Sequence, residues 1–369
     1  MPLPETRIII SGGGTGGHVF PAIAIADALT SLNPEVKILF VGAEGRMETE
    51  KVPAAGYEIK TLWISGLQRR LTFKNLLFPI KLAHSSLKAR SIIKEFKPQV
   101  VVGVGGYASG PTVKAAASMG ISTLIQEQNS YPGITNRMLA GKAKKICVAY
   151  PDMEKYFPAS RIVLTGNPVR TDIIFAEAKR EEALNFFRLD PQKPVVLVIG
   201  GSLGARTINN SIHRSLKEFA DAGLQLIWQT GKTFAEIAKS ATIPFDDYGI
   251  RNYDFITRMD FAYAAADIVV SRAGALSVSE LCITGKPSIL VPSPNVAEDH
   301  QTKNAMALVK RNAAVLIPDN RADSELADGI ISLAFNPAKK NELSNNIRSL
   351  SKPQAALDIA TIILELTQK

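Results

Sequence analysis

The sequence has 369 residues, of which 46% are hydrophobic and 21% charged, and its formal net charge is +9 at pH 7. Because domains usually contain about 100–200 residues, this length predicts two domains. No apolar run approaches the roughly 18 residues of a membrane-spanning helix, and the first residues lack the pattern of a secretory signal. With only two cysteines, we expect a cytosolic protein without a disulfide framework.

The chain opens with a predicted strand, a glycine loop and a helix. The apolar run at 7–11 leads into Gly12-Gly-Gly-Thr-Gly-Gly17, and a helical pattern follows from His18 to Leu29. The free N–H groups at such a helix start favour an anion, typically a phosphate. A second strand is predicted at 36–41. A dinucleotide site is one alternative, but the acidic residue expected at the end of this strand would come late, at Glu44. A bulky ligand or another domain approaching the glycine backbone is the other.

Two further strands of the first half also end in glycine-rich or polar residues. The strand at 100–104 leads into Gly105-Gly-Tyr-Ala-Ser-Gly-Pro111 and a helix, and the strand at 122–126 delivers Glu127-Gln-Asn129. A further strand is predicted at 145–149. In an open parallel sheet, ligands bind beyond the carboxyl ends of the strands, so these loops predict one shared crevice.

The second half repeats this plan. A strand at 194–199 is followed by Gly200-Gly-Ser-Leu-Gly-Ala-Arg206 and by a helix from Thr207 onward. Further strands are predicted at 224–228, 250–253, 268–271, 288–291 and 314–317, and a terminal helix at 355–366. The repetition predicts two Rossmann-like domains.

The stretch from Ser271 to Glu280 predicts a strand end, a tight turn and a helix start. A carboxylate at Glu280, next to an anion-binding turn, would accept hydrogen bonds from a ribose diol and so indicates a nucleotide. The alternative is that Glu280 only favours the helix dipole. Gln301, at the mouth of the same crevice, is able to bond sugar hydroxyls. No Asp-x-Asp pair occurs, and Cys282 and His300 lack ligand spacing, so we expect no metal.

The segment at 60–97 carries nine basic residues and one acid. Its apolar residues, from Leu71 to Leu82, favour a membrane-surface face over a nucleic-acid face, which would interleave stacking aromatics. An ordinary amphipathic helix with a solvated basic side is the third interpretation.

Seven motifs occur in an order that closely resembles the MurG family of N-acetylglucosaminyltransferases, over residues 8 to about 310. They are 12–18, 105–111, Glu127–Asn129, 166–170, 200–206, 274–280 and Asp299–Gln301. The resemblance implies a glycosyltransferase B fold, an α/β fold in which two Rossmann-like domains with parallel sheets face a central cleft. It predicts an N-terminal acceptor and membrane-associating domain at 1–165, a C-terminal UDP-sugar domain at 166–349, and a C-terminal helix at 350–369 that packs back on the first domain.

The implied activity is an inverting, metal-independent transfer without a cofactor. UDP-N-acetylglucosamine is the donor and a polyprenyl-diphosphate-linked muramyl-pentapeptide, lipid I, is the acceptor, so the product is lipid II of peptidoglycan synthesis. The implied location is peripheral, on the cytoplasmic face of the plasma (inner) membrane, with 60–97 on the anionic surface. No nucleic acid is expected as a partner.

Site residues follow from the same resemblance. The implied donor contacts are Thr15, Gly16, Gly17, Asn129, Arg170, Ser202, Ile256, Gly274, Ala275, Leu276, Ser277, Val278, Ser279, Glu280 and Gln301. The implied contacts to the acceptor diphosphate are Gly13, Gly14, Gly105, Gly106, Tyr107 and Ser109. Each of these residues has a structural alternative: Ile256, for example, also suits core packing and Ser202 a helix cap.

The transfer needs a base at the attacking hydroxyl, and two residues qualify by position. His18 opens the first helix, and an imidazole titrates near neutrality. Glu127 ends a strand in the same crevice but would need burial to raise its pKa. The family often has His before Glu-Gln-Asn, whereas Gln126 stands here, which puts a catalytic role of that position in doubt.

Three other functions compete with this prediction. A diacylglycerol-type glycosyltransferase and a UDP-sugar 2-epimerase share the fold, and the basic and apolar segment argues against the soluble epimerase only. An RNA-binding protein using 60–97 would leave the polar loops around one crevice unexplained.

Overall fold

The computed structural model describes residues 5–66, 77–201, 204–296 and 299–368. It divides the chain into two compact units, one formed by Met1–Arg170 with Pro353–Lys369 and the other by Thr171–Lys352. These boundaries lie a few residues after the predicted ones at 165 and 349.

The first unit contains a parallel sheet of seven strands among its described residues, in the order β3-β2-β1-β4-β5-β6-β7. Its strands are β1 (Arg7–Ser11), β2 (Lys37–Ala43), β3 (Glu58–Leu62), β4 (Val100–Gly103), β5 (Ser122–Glu127), β6 (Lys145–Val148) and β7 (Ile162–Leu164). The central strands are runs of Ile and Val that are buried on both faces, as expected for a parallel sheet covered by helices. Ile9 of β1 pairs with Leu39 and Val101.

Helices cover both faces of this sheet. They are α1 (Gly16–Leu32), α2 (Glu48–Ala54), α3 (Phe78–Phe96), α4 (Ser109–Ser118), α5 (Ile134–Leu139) and the terminal helix, called α16 here (Ala355–Thr367). Ile359 and Ile363 of α16 share a core with Ile25 and Leu29 of α1. The end of the chain is therefore part of the first unit.

The second unit contains a parallel sheet of six strands within its described part, in the order β10-β9-β8-β11-β12-β13. Its strands are β8 (Val195–Ile199), β9 (Gln225–Gln229), β10 (Ile250–Tyr253), β11 (Ile268–Ser271), β12 (Ser288–Leu290) and β13 (Val315–Leu316). Its helices are α6 (Thr171–Ile174), α7 (Arg180–Phe187), α8 (Arg206–Arg214), α9 (Leu216–Asp221), α10 (Ala235–Thr242), α11 (Met259–Ala265), α12 (Ala275–Thr284), α13 (His300–Val309), α14 (Ala322–Ala334) and α15 (Pro337–Arg348).

Both sheets reverse their strand order at one place, between β1 and β4 in the first unit and between β8 and β11 in the second. The carboxyl ends of these strands are the usual ligand sites of open α/β sheets. The loops at 12–15 and 104–108 follow the first pair, and those that begin at Gly200 and Arg272 follow the second. In the described ranges, no helix has the length and apolar character needed to cross a bilayer.

Candidate active site

The carboxyl ends of β8 and β11 border a cavity of about 580 Å³ within the second unit. Its lining combines glycine backbone with small polar and charged side chains, namely Gly200, Gly201, Gly204, Ala205, Arg206, Thr207, Arg272, Gly274, Ser277, Ser293, Asn295, Gln301 and Asp319. The size and polarity of this cavity suit a polar ligand of nucleotide size.

The turn between β11 and α12 positions a helix N-terminus at this cavity. Gly274 is the N-cap in an extended conformation, and its carbonyl accepts the first helical bond from Val278 N–H at 2.9 Å. Helix geometry leaves the N–H groups of Leu276 and Ser277 without an acceptor inside the helix. Buried Asn304 fixes the turn by donating to Ala273 O at 3.3 Å. The arrangement favours an anion.

Glu280 lies one turn further along α12 and is only 8% exposed. The hydroxyl of Tyr263, a buried residue of α11, donates to Glu280 Oε2 at 2.9 Å. A carboxylate held in this way keeps acceptor capacity for a diol.

Gln229, which the sequence analysis did not select, connects two of the predicted donor-binding segments. Its Oε1 accepts the N–H of Ile256 at 2.9 Å, while its Nε2 donates to Gly201 O at 3.3 Å. Ile256 itself is a buried residue. The signal that would have found Gln229 is its position, because a polar side chain ends β9 beside the β8 loop.

Gln301 lies in the first turn of α13, and its Oε1 accepts the N–H of Ser293 at 2.8 Å. This bond fixes the amide so that its NH₂ group is the end available to donate to a ligand. Ser202, another predicted donor contact, lies outside the described residues. The structure thus brings Gly274, Ser277 and Gln301 to one cavity. Glu280 lies on the same helix as Ser277 but not in the lining of this cavity.

Two backbone N–H groups in the glycine loop of the first unit donate to acceptors of the protein itself. Gly14 N–H donates to Glu48 Oε2 at 2.8 Å, and the other carboxylate oxygen of buried Glu48 accepts Ala43 N–H at 2.9 Å. Gly13 N–H donates to Gly105 O at 3.3 Å. The expectation that Gly13 and Gly14 offer these N–H groups to a diphosphate therefore needs correction.

The donors that remain in this loop lie at the start of α1. Thr15 is the N-cap, and its carbonyl accepts the N–H groups of His18 and Val19 at 3.0 and 3.1 Å. Helix geometry leaves Gly16 and Gly17 N–H without an intrahelical acceptor. Arg170 also belongs to this unit, with its guanidinium 5.7 Å from the ring centre of Phe20.

The second glycine loop packs directly against the first. A Cβ at Gly106 would collide with Gly13 O, and a Cβ at Gly105 would lie 2.7 Å from His18 Cε1. Tyr107 is 48% exposed, whereas Ser109 is fully buried and its Oγ has no hydrogen-bond partner among the described residues. This burial encloses the Ser109 hydroxyl in the protein, so a contact from Ser109 to the diphosphate would come from its backbone N–H at the start of α4.

His18 and Glu127, the two candidate bases, have different surroundings. His18 Nδ1 lies 3.2 Å from Gln128 Oε1, and its ring is partly exposed. Glu127 is buried, and both of its oxygens accept two bonds each: Oε1 from Asn129 N and Nδ2, and Oε2 from Gly133 N and Asn136 Nδ2. Burial raises the pKa of Glu127, and these donors oppose the shift. Glu127 therefore organises the loop that carries Asn129.

Metal ligands and reactive thiols are two further kinds of catalytic group. The described ranges contain no cluster of three or more His, Cys, Asp or Glu side chains with that geometry. Burial raises the pKa of both thiols, Cys147 and Cys282, to about 12, so neither is a reactive thiolate at neutral pH.

Comparison with known proteins identifies the family. The glycosyltransferase family 28 N-terminal domain matches residues 8–148, and the family's C-terminal domain matches 195–359. A protein of Porphyromonas gingivalis strain W83 is 57% identical over 367 residues, which cover 99% of this chain and 96% of the relative. The chain belongs to glycosyltransferase family 28. It is thus an enzyme of the glycosyltransferase class, and the predicted resemblance is confirmed.

Two relatives of this family 28 chain carry the same name. The P. gingivalis protein and one from Flavobacterium psychrophilum, 52% identical over 99% of both chains, are called UDP-N-acetylglucosamine--N-acetylmuramyl-(pentapeptide) pyrophosphoryl-undecaprenol N-acetylglucosamine transferase.

Solved structures agree with the predicted fold. The MurG crystal structure from Acinetobacter baumannii matches with a TM-score of 0.78 and 28% identity, covering 98% of this chain and 99% of that one. A UDP-N-acetylglucosamine 2-epimerase matches with a TM-score of 0.65 at 15% identity, over 99% of this chain and 98% of that one, which shows the fold alone. The predicted glycosyltransferase B fold with parallel sheets in two domains is confirmed.

Proposed function

We propose that this enzyme transfers N-acetylglucosamine from UDP-N-acetylglucosamine to the muramyl hydroxyl of lipid I and so forms lipid II, with inversion and without a metal. Relatives at 52–58% identity over nearly the whole chain carry this activity in their name. The observation that carries the proposal is the cavity at the β8 and β11 ends, with the start of α12 and Gln301 in its lining and Glu280 held by Tyr263.

In the proposed complex, the second unit binds the donor. The diphosphate accepts hydrogen bonds from the N–H groups at the start of α12, and Arg206 adds a positive charge to the cavity lining. Glu280 accepts the ribose hydroxyls and Gln301 donates to the sugar. Charge that develops on the departing UDP is then stabilised by groups fixed before the reaction, and the transfer requires no divalent ion.

The acceptor diphosphate binds to the first unit in this proposal. Gly16 and Gly17, which the resemblance assigned to the donor, bind the acceptor diphosphate in this proposal, because the N–H groups of Gly13 and Gly14 already donate inside the protein. Gly105, Gly106 and exposed Tyr107 border the same loop.

His18 is the proposed base. Its imidazole is partly exposed, and the contact of Nδ1 with Gln128 Oε1 orients the ring before Nε2 accepts a proton. Glu127 is less suitable because four N–H bonds and full burial keep its carboxylate engaged with its own loop. The proton taken from the muramyl hydroxyl leaves the attacking oxygen free to displace UDP.

The membrane surface is the proposed location, through α3. Ile80 and Leu87 on this helix are 59% and 67% exposed, and its basic residues include Lys88, Arg90 and Lys94. Apolar side chains at the boundary and cations at the headgroups are the features of an interfacial helix. The basic residues Arg69, Arg70 and Lys74, which contributed to this prediction, lie outside the described residues.

Two experiments test these proposals. Incubation with labelled UDP-N-acetylglucosamine and lipid I should give labelled lipid II, whereas accumulation of the 2-epimer of the sugar nucleotide would favour the epimerase alternative.

Membrane binding through α3 is tested with a variant in which Lys88, Arg90 and Lys94 are changed together to Gln. The same change at Lys217, Lys232 and Lys239 of the second unit is the matched control. Binding to anionic vesicles should weaken only in the first variant, by about 1 kcal/mol for each charge. Equal binding of both variants would contradict this role of α3.

A further inference from the structure

A chain of buried side-chain amides lies behind His18. Gln128 Nε2 donates to Val104 O at 2.7 Å and also to Gln126 Oε1. Gln126 Nε2 donates to Asn167 Oδ1 at 2.9 Å, and Asn167 Nδ2 donates to Gln128 O at 3.0 Å. All three amides are nearly or fully buried. None of them carries a charge at any pH.

The direction of every bond in this chain is fixed by two backbone carbonyls. A carbonyl only accepts, so Val104 O requires the NH₂ end of Gln128, and the carbonyl of Gln128 requires the NH₂ end of Asn167. Asn167 then directs Oδ1 at Gln126, so Gln126 must donate from its own NH₂ group. Gln126 in turn presents Oε1 to the NH₂ group of Gln128. The two backbone carbonyls therefore require the same orientation of the three side-chain amides.

This orientation directs Gln128 Oε1 at His18 Nδ1, 3.2 Å away. Since that oxygen only accepts, Nδ1 must carry a hydrogen, and the lone pair of the neutral ring belongs to Nε2. We propose that Gln128, oriented by Gln126 and Asn167, is a positioning residue that holds His18 in the tautomer with a basic Nε2. This inference rests on the proposed role of His18 as the base.

The same bond persists when the ring takes up a proton at Nε2. Nδ1 donates to Gln128 Oε1 in the neutral ring and in the imidazolium, so the amide chain does not rearrange during the reaction. Gly105 completes the seat of the ring: its φ is +92°, and a Cβ there would lie 2.9 Å from Nδ1. The neutral Gln126, where the family often has His, maintains this orientation without a titration of its own.

The test is nitrogen NMR of the full-length protein labelled with ¹⁵N-histidine. Of the four histidines, the signals of His18 are those absent from the His18→Ala spectrum. On the alkaline side of the ring's titration, Nδ1 should have a pyrrole-type shift and Nε2 a pyridine-type shift. The opposite pattern in the wild-type protein would overturn the proposal, and this result does not depend on the folding of any Gln128 variant.

The variant Gln128→Met tests whether Gln128 determines the tautomer of His18. The neutral ring should then populate both tautomers, and kcat should fall by about tenfold with little change in the KM for the donor. Gln225→Met is the matched control, because Gln225 is a buried amide of the second unit that bonds Asp190, and it should leave the His18 signals unchanged. An unchanged tautomer in Gln128→Met would overturn the proposal. The proposed tautomer together with full activity of His18→Ala would support the amide chain and refute the base role.

Discussion

The two units use the same plan of strand, glycine loop and helix, yet their loops differ in what occupies them. In the first unit, Glu48 places a buried carboxylate against the loop and takes the N–H of Gly14. In the second unit, the glycine residues after β8 line a cavity that the start of α12 also borders. A glycine motif therefore specifies close approach to the backbone, and the side chains around it decide whether an anion or a carboxylate of the protein is accepted.

In the proposed mechanism, the second unit binds the donor and the first unit activates the acceptor. Variants that affect one task and spare the other therefore test the comparison directly.

The largest effect is expected for His18→Ala. Loss of a general base should lower kcat by about 10²–10⁴-fold, while the affinity for UDP-N-acetylglucosamine stays nearly unchanged because His18 is not one of the proposed donor contacts. Steady-state kinetics and calorimetric titration of the donor measure the two quantities. His84→Ala is the matched control, a histidine of α3 packed against Trp63. A kcat within a few-fold of the wild-type value would move the base role to Glu127 or to water.

Glu48→Ala should have the next largest effect. It removes the acceptor of two backbone N–H groups, and hydrogen bonds to a charged group are worth about 1.5–3 kcal/mol. We expect a loss of about 2–3 kcal/mol in the free energy of unfolding and a higher KM for lipid I, with unchanged donor affinity. Denaturant unfolding and acceptor titration measure these. The exposed neighbour Glu50 gives the control Glu50→Ala, and equal stability of the two variants would remove the organising role of Glu48.

Glu280→Ala tests the other side of the comparison. Donor affinity should weaken by about 1.5–3 kcal/mol, the scale of a hydrogen bond to a charged group, without loss of the fold. Tyr263→Phe should have a smaller effect in the same direction, because it only releases the carboxylate. Glu342→Ala, on α15, is the control. Donor affinity that is unaffected by Glu280→Ala would rule out the ribose role.

The smallest expected effect is that of a chelator. If helix N-termini and arginine meet the diphosphate charge, excess EDTA should leave the transfer rate unchanged. Loss of activity that magnesium restores would show that the second unit needs an ion.

The central strands were predictable from the sequence because burial on both faces requires continuous apolar runs. The bounds of β1, β10 and β11 agree with prediction, and most other strands differ by a residue or two. The sequence analysis missed β3 and β7, which are the two edges of the first sheet. The edge strand β3 carries Glu58, Lys60 and Thr61, and such polar residues give no apolar signal.

The site was predictable where it follows strand ends and not where it depends on distant partners. The turn at Gly274 and the residue Glu280 were visible as a strand–turn–helix pattern. The bond from Gly14 to Glu48 joins residues 34 positions apart, and Tyr263 reaches Glu280 from another helix. No local sequence pattern encodes such pairs. The sequence therefore contained no sign that the N–H groups of Gly13 and Gly14, predicted to bind a diphosphate, form hydrogen bonds within the protein.

Hydrogen exchange with and without UDP reports which glycine turn receives the nucleotide. We expect slower exchange of the amides at 274–280, with Leu276 and Ser277 among them, and little change at Gly13 and Gly14, whose N–H groups are already bonded. Protection confined to residues 12–17, with unchanged exchange at 274–280, would contradict this expectation.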